Sequence, residues 1–196
     1  MNRLSKKEVC DLVLTIPDKF MHKETTSHQM KMDLVDKFYN TSGDILEVGC
    51  HKGQTSLILS HLFRNVYTMN INPPSKDFPQ RENIHYEQMD SYKKKWKFDK
   101  WKDVEVVMID AIHEYSQVKQ DTENTLRLPK VKYIIFDDYG HPGFPGVKKY
   151  VDEFIEENNL KLIPLGLQKG MKFVGSIGRQ SFPIEFMDSE GVLVEL

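Results

Sequence analysis

Hydrophobic and polar positions follow a helical period over the first 40 residues of the chain. Apolar side chains recur three and four residues apart, as at Met30, Leu34 and Phe38, which places them on one face of a helix. Ser5 and Glu8 have the spacing of a capping box, in which two side chains satisfy the first backbone groups of a helix. We therefore expect a helical N-terminal part with a polar loop in its middle.

From Asp44 onward, strand patterns alternate with helix patterns. Strands are predicted at 45–50, 65–71, 83–89, 104–110 and 132–138. Helices are predicted between and after them, at about 54–64, 114–127 and 147–155. This alternation predicts an α/β protein with a parallel sheet that is covered by helices on both faces. Ligands of such sheets bind at the carboxyl ends of the strands.

The C-terminal part of the sequence predicts antiparallel pairing. Strand segments at 160–166 and 171–177 flank a short turn at 168–170, which suits a hairpin. Together with the preceding strands they predict a seven-stranded, mostly parallel sheet with an antiparallel last strand. The tail predicts a further hairpin that turns about 189–191, and its exposed edge could extend the sheet of a second copy. The sequence therefore leaves a homodimer open as one form of assembly.

The composition is that of one globular domain. Of 196 residues, 39% are hydrophobic and 29% charged, and the formal net charge is −2. This charge gives no general attraction to nucleic acid or to an anionic membrane, and we expect neither as a partner. No apolar run approaches the roughly 20 residues of a membrane span, and no signal-peptide pattern is present. Because the cysteines Cys10 and Cys50 are far apart, we expect reduced thiols and a cytoplasmic location.

The segment DILEVGCHKG, residues 44–53, combines a buried strand pattern with a glycine turn that leads into a helix. Gly49 and Gly53 bracket three residues, and Glu47 lies two residues before the first glycine. Such a turn brings bare backbone and a helix N-terminus close to a ligand. The segment resembles motif I of the class I S-adenosylmethionine (SAM)-dependent methyltransferases, which have a Rossmann-like fold. An ordinary tight turn is the alternative.

This resemblance implies where SAM would bind. The residues at the methionine part of SAM would be Glu47, Gly49, Cys50, His51 and Gly53. After the second strand, the acidic ribose ligand of the family is replaced by Asn70, which lacks the charge of a carboxylate. After the third strand, Asp90 would accept a hydrogen bond from the adenine amine, and the Ser91 backbone would contact a ring nitrogen. A solvated turn is the alternative for this pair.

Two later segments, IDAIHEYSQVKQD (109–121) and FDDYGHPGFPGVKKYVDEFI (136–155), resemble a narrower group. This group contains the macrocin O-methyltransferase-like enzymes and related small-molecule O-methyltransferases. The resemblance implies a divalent cation, Mg²⁺, held by Asp110, Asp137 and Asp138, with Asp110 also bordering the cofactor. Carboxylate oxygens suit Mg²⁺, and a cation there makes a substrate hydroxyl easier to ionise. Alternatively, some of these carboxylates only cap helices or bind loop backbone.

The general base is left open by the sequence. Related enzymes often carry a second aspartate where this chain has Ile112. His113 and His141 are the candidates, because a histidine titrates near neutral pH. A metal-bound hydroxide, or the absence of any base, is the remaining alternative.

Two further segments have both a functional and a plain interpretation. TTSHQ, residues 25–29, resembles a stretch that closes over the cofactor, which would place His28 and Gln29 at the pocket. A polar loop is the alternative. The basic run of Lys93 to Lys97 could bind a phosphate-bearing substrate or RNA. A solvated helix face is the expected reading.

The predicted function is SAM-dependent transfer of a methyl group to a hydroxyl of a small molecule, assisted by a divalent cation. One compact domain would contain a helical cap (1–40), a SAM-binding part (41–180) and an extended tail (181–196). Two alternatives remain. One is a non-catalytic relative that binds or regulates, which Asn70 and Ile112 favour. The other is a metal-dependent enzyme of another class on the same scaffold, as in cephalosporin hydroxylase-like proteins.

Overall fold

A computed structural model describes residues 4–16, 25–170 and 188–196. The helices in these ranges are α1 (Lys6–Thr15), α2 (His28–Phe38), α3 (Gln54–Leu62), α4 (Tyr115–Thr125) and α5 (Pro145–Asn158). The strands are β1 (Asp44–Val48), β2 (Val66–Asn70), β3 (Ile84–Gln88), β4 (Val104–Ile109), β5 (Tyr133–Phe136), β6 (Lys161–Gln168) and β7 (Ser189–Glu195). The predicted strand at 171–177 lies outside the described residues.

The strands form one seven-stranded sheet in the order β3-β2-β1-β4-β5-β7-β6. Strands β1 to β5 pair in parallel, and β7 runs antiparallel to both β5 and β6. Side chains alternate between the two faces, so Ile45 packs with α1, α2 and α3, while Leu46 packs with α4 and α5. The predicted fold class is therefore confirmed, including the antiparallel last strand and helices on both faces.

The predicted hairpin at 189–191 is wrong, because these residues belong to β7. Gly191 pairs with Leu165, and the following residues are fully buried between β5 and β6. A Cβ atom on Gly191 would lie 2.8 Å from both Met30 Cε and the Phe136 carbonyl oxygen. The glycine is thus needed for close packing rather than for a turn. Because β7 pairs with a strand on each side, it offers no free edge that could extend the sheet of a second copy. The sequence-based reason for expecting a homodimer therefore no longer holds.

The N-terminal helices begin at defined caps. Ser5 and Glu8 form the predicted capping box, with a Ser5 N–H to Glu8 Oε2 bond of 2.7 Å. Ser27 caps α2 by accepting from the Met30 N–H at 3.0 Å, so His28 already lies in the helix rather than in a loop. None of the helices in the described ranges combines the length and the apolar character that crossing a membrane requires.

The basic run was predicted to be a solvated helix face. The structure shows a series of turns between β3 and β4 instead. Trp96 and Trp101 are buried and pack edge to face, with ring centroids 5.6 Å apart. These rings anchor an irregular segment whose lysine side chains point outward. Lys97 and Lys100 both form ion pairs with Glu87 on β3. The aromatic residues thus determine the local structure, and the positive charges are partly neutralised.

Candidate active site

A cavity of about 390 Å³ opens at the carboxyl ends of the parallel strands. Most of the predicted site residues line it, namely Glu47, Gly49, Cys50, His51, Asn70, Asp90, Ser91, Asp110, His113, Asp137 and Asp138. Gly53 and His141 do not. The volume falls within the range of about 300–1,000 Å³ that is usual for small-molecule sites. Side chains that follow different strands in the sequence therefore line one common cavity.

The two glycines of the turn after β1 have different roles. Gly49 has a φ of 88° and lies against the loop after β4, where a Cβ atom would overlap the carbonyl oxygen of Asp110. Gly53 has a φ of 76° and starts α3, where a Cβ atom would overlap the ring of Phe78. The first glycine therefore joins the turn to the cavity wall. The second, which was predicted to bind the cofactor, lies outside the cavity.

Backbone strain is concentrated at the cavity. In the described part of the chain, the non-glycine residues with positive φ are His51 (40°), Asp138 (54°) and Asn159 (51°). His51 and Asp138 both line the cavity. Such conformations cost free energy and tend to occur at functional sites. Cys50 between Gly49 and His51 is buried, and burial raises the pKa of its thiol, so it is a packing residue rather than a nucleophile.

Glu47 is a buried carboxyl group in the cavity wall. Burial raises its pKa to about 8, since it outweighs the hydrogen bond from the Ser56 hydroxyl. The nearby Asp110 raises the pKa further, and Lys31 lowers it. A cationic ligand group placed beside Glu47 would favour its ionised form. The site is thus suited to an ammonium group.

The segment before α2 closes one side of the cavity, as its resemblance implied, but through different residues. Thr25 lines the cavity. The side chain of Lys31 is fully buried, and its ammonium donates to Thr25 Oγ1 at 3.1 Å and to Thr26 Oγ1 at 2.8 Å. Thr26 Oγ1 lies 3.1 Å from Thr55 Oγ1 on α3. A buried lysine therefore holds the segment, which contacts the start of α3 through Thr26.

His28 and Gln29 do not reach the cavity, contrary to the prediction. His28 Nε2 lies 2.8 Å from the Ile16 carbonyl oxygen, and Gln29 Nε2 donates to Asp33 Oδ1 at 2.8 Å. Neither residue lines the cavity. The sequence signal that was missed is Lys31 itself, a charge between the methionines at 30 and 32 on a buried helix.

The loops after β2 and β3 provide polar groups at the other end of the cavity. Asn70 Oδ1 accepts from the Ile71 N–H at 3.0 Å. Asp90 Oδ1 accepts from the N–H groups of Tyr92 (3.0 Å) and Lys93 (3.2 Å). Burial opposes ionisation of Asp90, but these hydrogen bonds and the Lys93 ammonium lower its pKa overall. Asp90 is therefore an ionised hydrogen-bond acceptor.

Among the described residues, Asp110, His113 and Asp138 form a cluster that could hold a metal ion, because one potential ligand atom from each lies within 4.8 Å of the others. His113 Nε2 lies 3.3 Å from Asp138 Oδ2 and 3.8 Å from Asp110 Oδ1. Asp137 lines the cavity but is not part of this cluster. This cluster shares Asp110 and Asp138 with the predicted set of three aspartates and adds His113, whereas Asp137 as a ligand stays a prediction.

His113 and His141 both stack on Phe144, at centroid distances of 4.2 and 4.6 Å. The outer imidazole, His141, accepts through Nδ1 from the Gly143 N–H at 3.0 Å and does not line the cavity. Its place as a general base is therefore not supported. The sequence analysis missed Phe144, which reaches the cavity and holds the ring of His113.

Two apolar side chains lie at the cavity rim. Ile71 is 54% exposed and Ile112 is 52% exposed, although both are large and hydrophobic. Ile112 is the position at which the resemblance noted in the sequence analysis would place a second aspartate. The rim therefore offers apolar contact, and it places no carboxylate at that position.

The fold is shared with solved methyltransferase structures. An O-methyltransferase from Bacillus cereus in complex with SAH (S-adenosylhomocysteine) has a TM-score of 0.57 at 14% identity, over 97% of this chain and 90% of that one. The O-methyltransferase NovP has a TM-score of 0.57 at 13% identity, over 97% and 99%. MycE, solved with Mg, SAH and mycinamycin VI, has a TM-score of 0.56 at 14% identity, over 99% of this chain and 55% of that one.

No protein-family model matches the sequence, and no curated protein matches it. At sequence identities of 13 and 14%, these matches show that the fold is similar and nothing more. The similarity of fold agrees with the sheet order, the antiparallel β7 and the helices on both faces. The chain has the fold of the class I SAM-dependent methyltransferases.

Proposed function

We propose that this protein is a SAM-dependent methyltransferase that acts on a hydroxyl group of a small molecule, with a divalent cation at Asp110, His113 and Asp138. One observation carries the proposal. A single cavity contains both the glycine turn after β1 and the acidic cluster after β4 and β5. In the fold shared with SAH-bound methyltransferases, this is where a methyl donor and an acceptor would have to meet.

The residues present fit SAM. The glycine turn at Gly49 lines the cavity where the methionine part would lie, and the buried Glu47 carboxyl group would bind the ammonium group. Asn70 would bind a ribose hydroxyl as a neutral acceptor, and Asp90 and Ser91 would contact the adenine. SAM supplies an electrophilic methyl group on its sulfonium. The chain's part is to orient this methyl and to exclude water around it, which can supply a large share of the rate.

The cluster fits a divalent cation. Ligand atoms at about 2.1 Å from one octahedral ion stand about 3.0 Å apart when adjacent and about 4.2 Å apart when opposite. The separations of 3.3 and 3.8 Å from His113 Nε2 lie in this range. Two carboxylates and an imidazole suit Mn²⁺ better than Mg²⁺, because Mg²⁺ takes oxygen ligands. A cation there would lower the pKa of an acceptor hydroxyl.

The chemistry then needs little from a protein base. Because His113 would be a ligand of the cation in this proposal, it would not be available as a base. The proton of the acceptor hydroxyl would therefore leave to solvent. The acceptor oxygen forms the new bond to the methyl carbon while the sulfonium bond breaks, which gives a methyl ether, SAH and a proton. Phe144 fixes the ring plane of His113 by stacking. Ile112 shields the reacting groups on the open side.

Calorimetric titration with SAM, with and without Mn²⁺, tests the proposal. We expect micromolar to submillimolar SAM binding by the wild type. Asp138→Asn should keep SAM binding and lose most of the Mn²⁺ binding. Asp152→Asn, a half-exposed aspartate of α5, is the matched control and should change neither. The absence of binding at millimolar SAM would overturn the proposal. If SAM binds, a screen of hydroxylated small molecules for SAH release would identify the acceptor.

A non-catalytic binding protein is the second candidate, which Asn70 favours. The ribose position carries no negative charge, and Asn70 Oδ1 is already bonded to the Ile71 N–H. This candidate predicts SAM or SAH binding without turnover of any acceptor. A metal-dependent enzyme of another class would instead need a redox metal and oxygen, and SAM would not be consumed.

A further inference from the structure

Asp121 is a carboxylate of α4 with 0% exposure, placed behind the loop that follows β3. It does not line the cavity. Its Oδ2 accepts from Ser91 Oγ at 3.3 Å and from Gln117 Nε2 at 3.1 Å. Gln117 Nε2 also donates to Ser91 Oγ at 3.2 Å. A buried triangle of side chains therefore connects α4 with Ser91 in the cavity wall.

This triangle is costly for the fold. Burial raises the pKa of Asp121 to about 6, and the hydrogen bonds from Gln117 and Ser91 only partly offset it. The neighbouring Asp90 raises the pKa further. Within the described residues, Asp121 Oδ1 has no hydrogen-bond partner. A buried carboxylate with incomplete bonding is a poor source of stability, so a role beyond packing is indicated.

Ser91 is fixed from several sides by this arrangement. Its hydroxyl donates to Asp121 and accepts from Gln117, and its carbonyl oxygen accepts from Trp96 Nε1 at 3.3 Å. No partner for the Ser91 N–H occurs in the described ranges. Next to it, Asp90 is ionised and can only accept hydrogen bonds. The cavity wall thus offers one acceptor beside one donor.

That pattern matches one purine and mismatches another. Adenine has an amine that donates beside a ring nitrogen that accepts. Hypoxanthine, in which an oxygen replaces the amine, has an acceptor beside an N–H donor. Both hydrogen bonds would therefore be reversed. A site with fixed polar groups rejects such an analogue because those groups are left unpaired.

We propose that Asp121 is a positioning residue that acts through Ser91 and Gln117 to fix the Asp90–Ser91 backbone, so that the site selects adenine. This inference rests on the proposed function, because it concerns the base of the methyl donor. Asp121 does not line the cavity, so it acts on the ligand through Gln117 and Ser91. Its removal should therefore change discrimination between bases and leave the acceptor side of the cavity intact.

The test compares dissociation constants for SAH and for S-inosylhomocysteine, its 6-oxo analogue, by calorimetry. The variants are Asp121→Leu, Asp121→Asn, Ser91→Ala and the control Glu123→Gln, an exposed acid on the same helix. We expect the wild type and the control to prefer SAH by about tenfold or more. Asp121→Leu and Ser91→Ala should each reduce this ratio several-fold, and Asp121→Asn should retain it, because an amide oxygen can still accept from Ser91.

Each outcome decides a separate point. A wild type that does not bind SAH overturns the proposed function and this inference together. Binding of SAH without preference over the inosyl analogue overturns the inference alone. Unchanged ratios in both Asp121→Leu and Ser91→Ala would make the triangle merely structural. Ser91→Ala removes a single oxygen, so it keeps the test valid if Asp121→Leu does not fold.

Discussion

Gly49 lies directly against Asp110, so that a Cβ atom on the glycine would overlap the aspartate's carbonyl oxygen. The turn after β1 and the loop after β4 are therefore in backbone contact, and Asp110 N–H also donates to the Val48 carbonyl oxygen at 2.8 Å. This contact places the proposed methyl donor beside the proposed cation. A change at Gly49 should disturb both.

Gly49→Ala should lose SAM binding by tenfold or more and destabilise the fold by about 2–4 kcal/mol, since a positive φ and a clash act together. Gly170→Ala is the matched control, because its φ of 83° is similar but a Cβ atom would meet nothing within 4 Å. It should cost about 1 kcal/mol and leave SAM binding unchanged. Denaturant unfolding and calorimetry measure the two effects. Equal effects of the two variants would show that strain alone matters.

Membership of the metal cluster can be tested within one pair of neighbours. Asp138→Asn and His113→Ala should each weaken Mn²⁺ binding by tenfold or more, whereas Asp137→Asn should weaken it much less. His141→Ala should have no effect, because its ring bonds the loop at Gly143. Titration of Mn²⁺, followed by electron paramagnetic resonance, gives the affinities. A larger loss in Asp137→Asn than in Asp138→Asn would restore the cluster predicted from sequence.

The pH dependence of stability should reveal Glu47. Its pKa rises from about 4.5 when unfolded to about 8 in the folded cavity, so the folded state binds its proton more tightly. The stabilisation from this proton is complete below pH ~4.5, is lost progressively as the pH rises from about 4.5 to about 8, and changes no further above that. Glu47→Gln does not titrate. The melting temperature of the variant should therefore rise relative to that of the wild type between pH ~5 and ~8, by at least a few degrees. A constant difference over this range would contradict the assignment.

Lys31→Met should loosen the segment that carries Thr25. The change leaves the hydroxyls of Thr25 and Thr26 without their buried donor, and we expect a loss of about 1–3 kcal/mol in stability. SAM affinity should fall several-fold because Thr25 lines the cavity. Lys37→Met, at an exposed position of the same helix, is the control. If both variants bind SAM like the wild type, the segment does not contribute to the site.

The position of β7 predicts a stability effect at the end of the chain. Leu193 is fully buried and pairs with Ile135 on β5 and with Ile163 on β6. Leu193→Ala should cost about 2–5 kcal/mol, whereas Leu196→Ala, at a 40% exposed position, should cost less than about 0.5 kcal/mol. Chemical denaturation distinguishes the two. Near-equal values would mean that the tail is not part of the sheet.

The sheet and its ligand edge could be predicted from sequence because each β-α unit carries a local signal. Parallel strands buried on both faces are nearly continuous apolar runs, and their polar ends mark one edge. Glu47, Asp90 and Asp110 were found in this way. The order of β7 could not be found, because Gly191 is required by contacts with Met30 and Phe136, which are distant in sequence, and glycine by itself indicates a turn.

The details of the site depended on contacts that a sequence does not contain. The sequence does not distinguish Asp137 from its neighbour Asp138, and only the folded loop brings Asp138, and not Asp137, close to Asp110 and His113. Lys31 and Asp121 look like surface charges until the helices are packed. Their burial gives them their roles, one beside Thr25 and one behind Ser91.

The most direct test of the account is a crystal soaked with SAM and Mn²⁺, with anomalous data that locate the manganese. The account predicts one manganese peak within about 2.3 Å of ligand atoms of Asp110, His113 and Asp138. It also predicts SAM density that runs from Glu47 to Ser91, with the methyl group facing the ion. Manganese bound elsewhere, or SAM density absent from this cavity at saturating concentration, would contradict it.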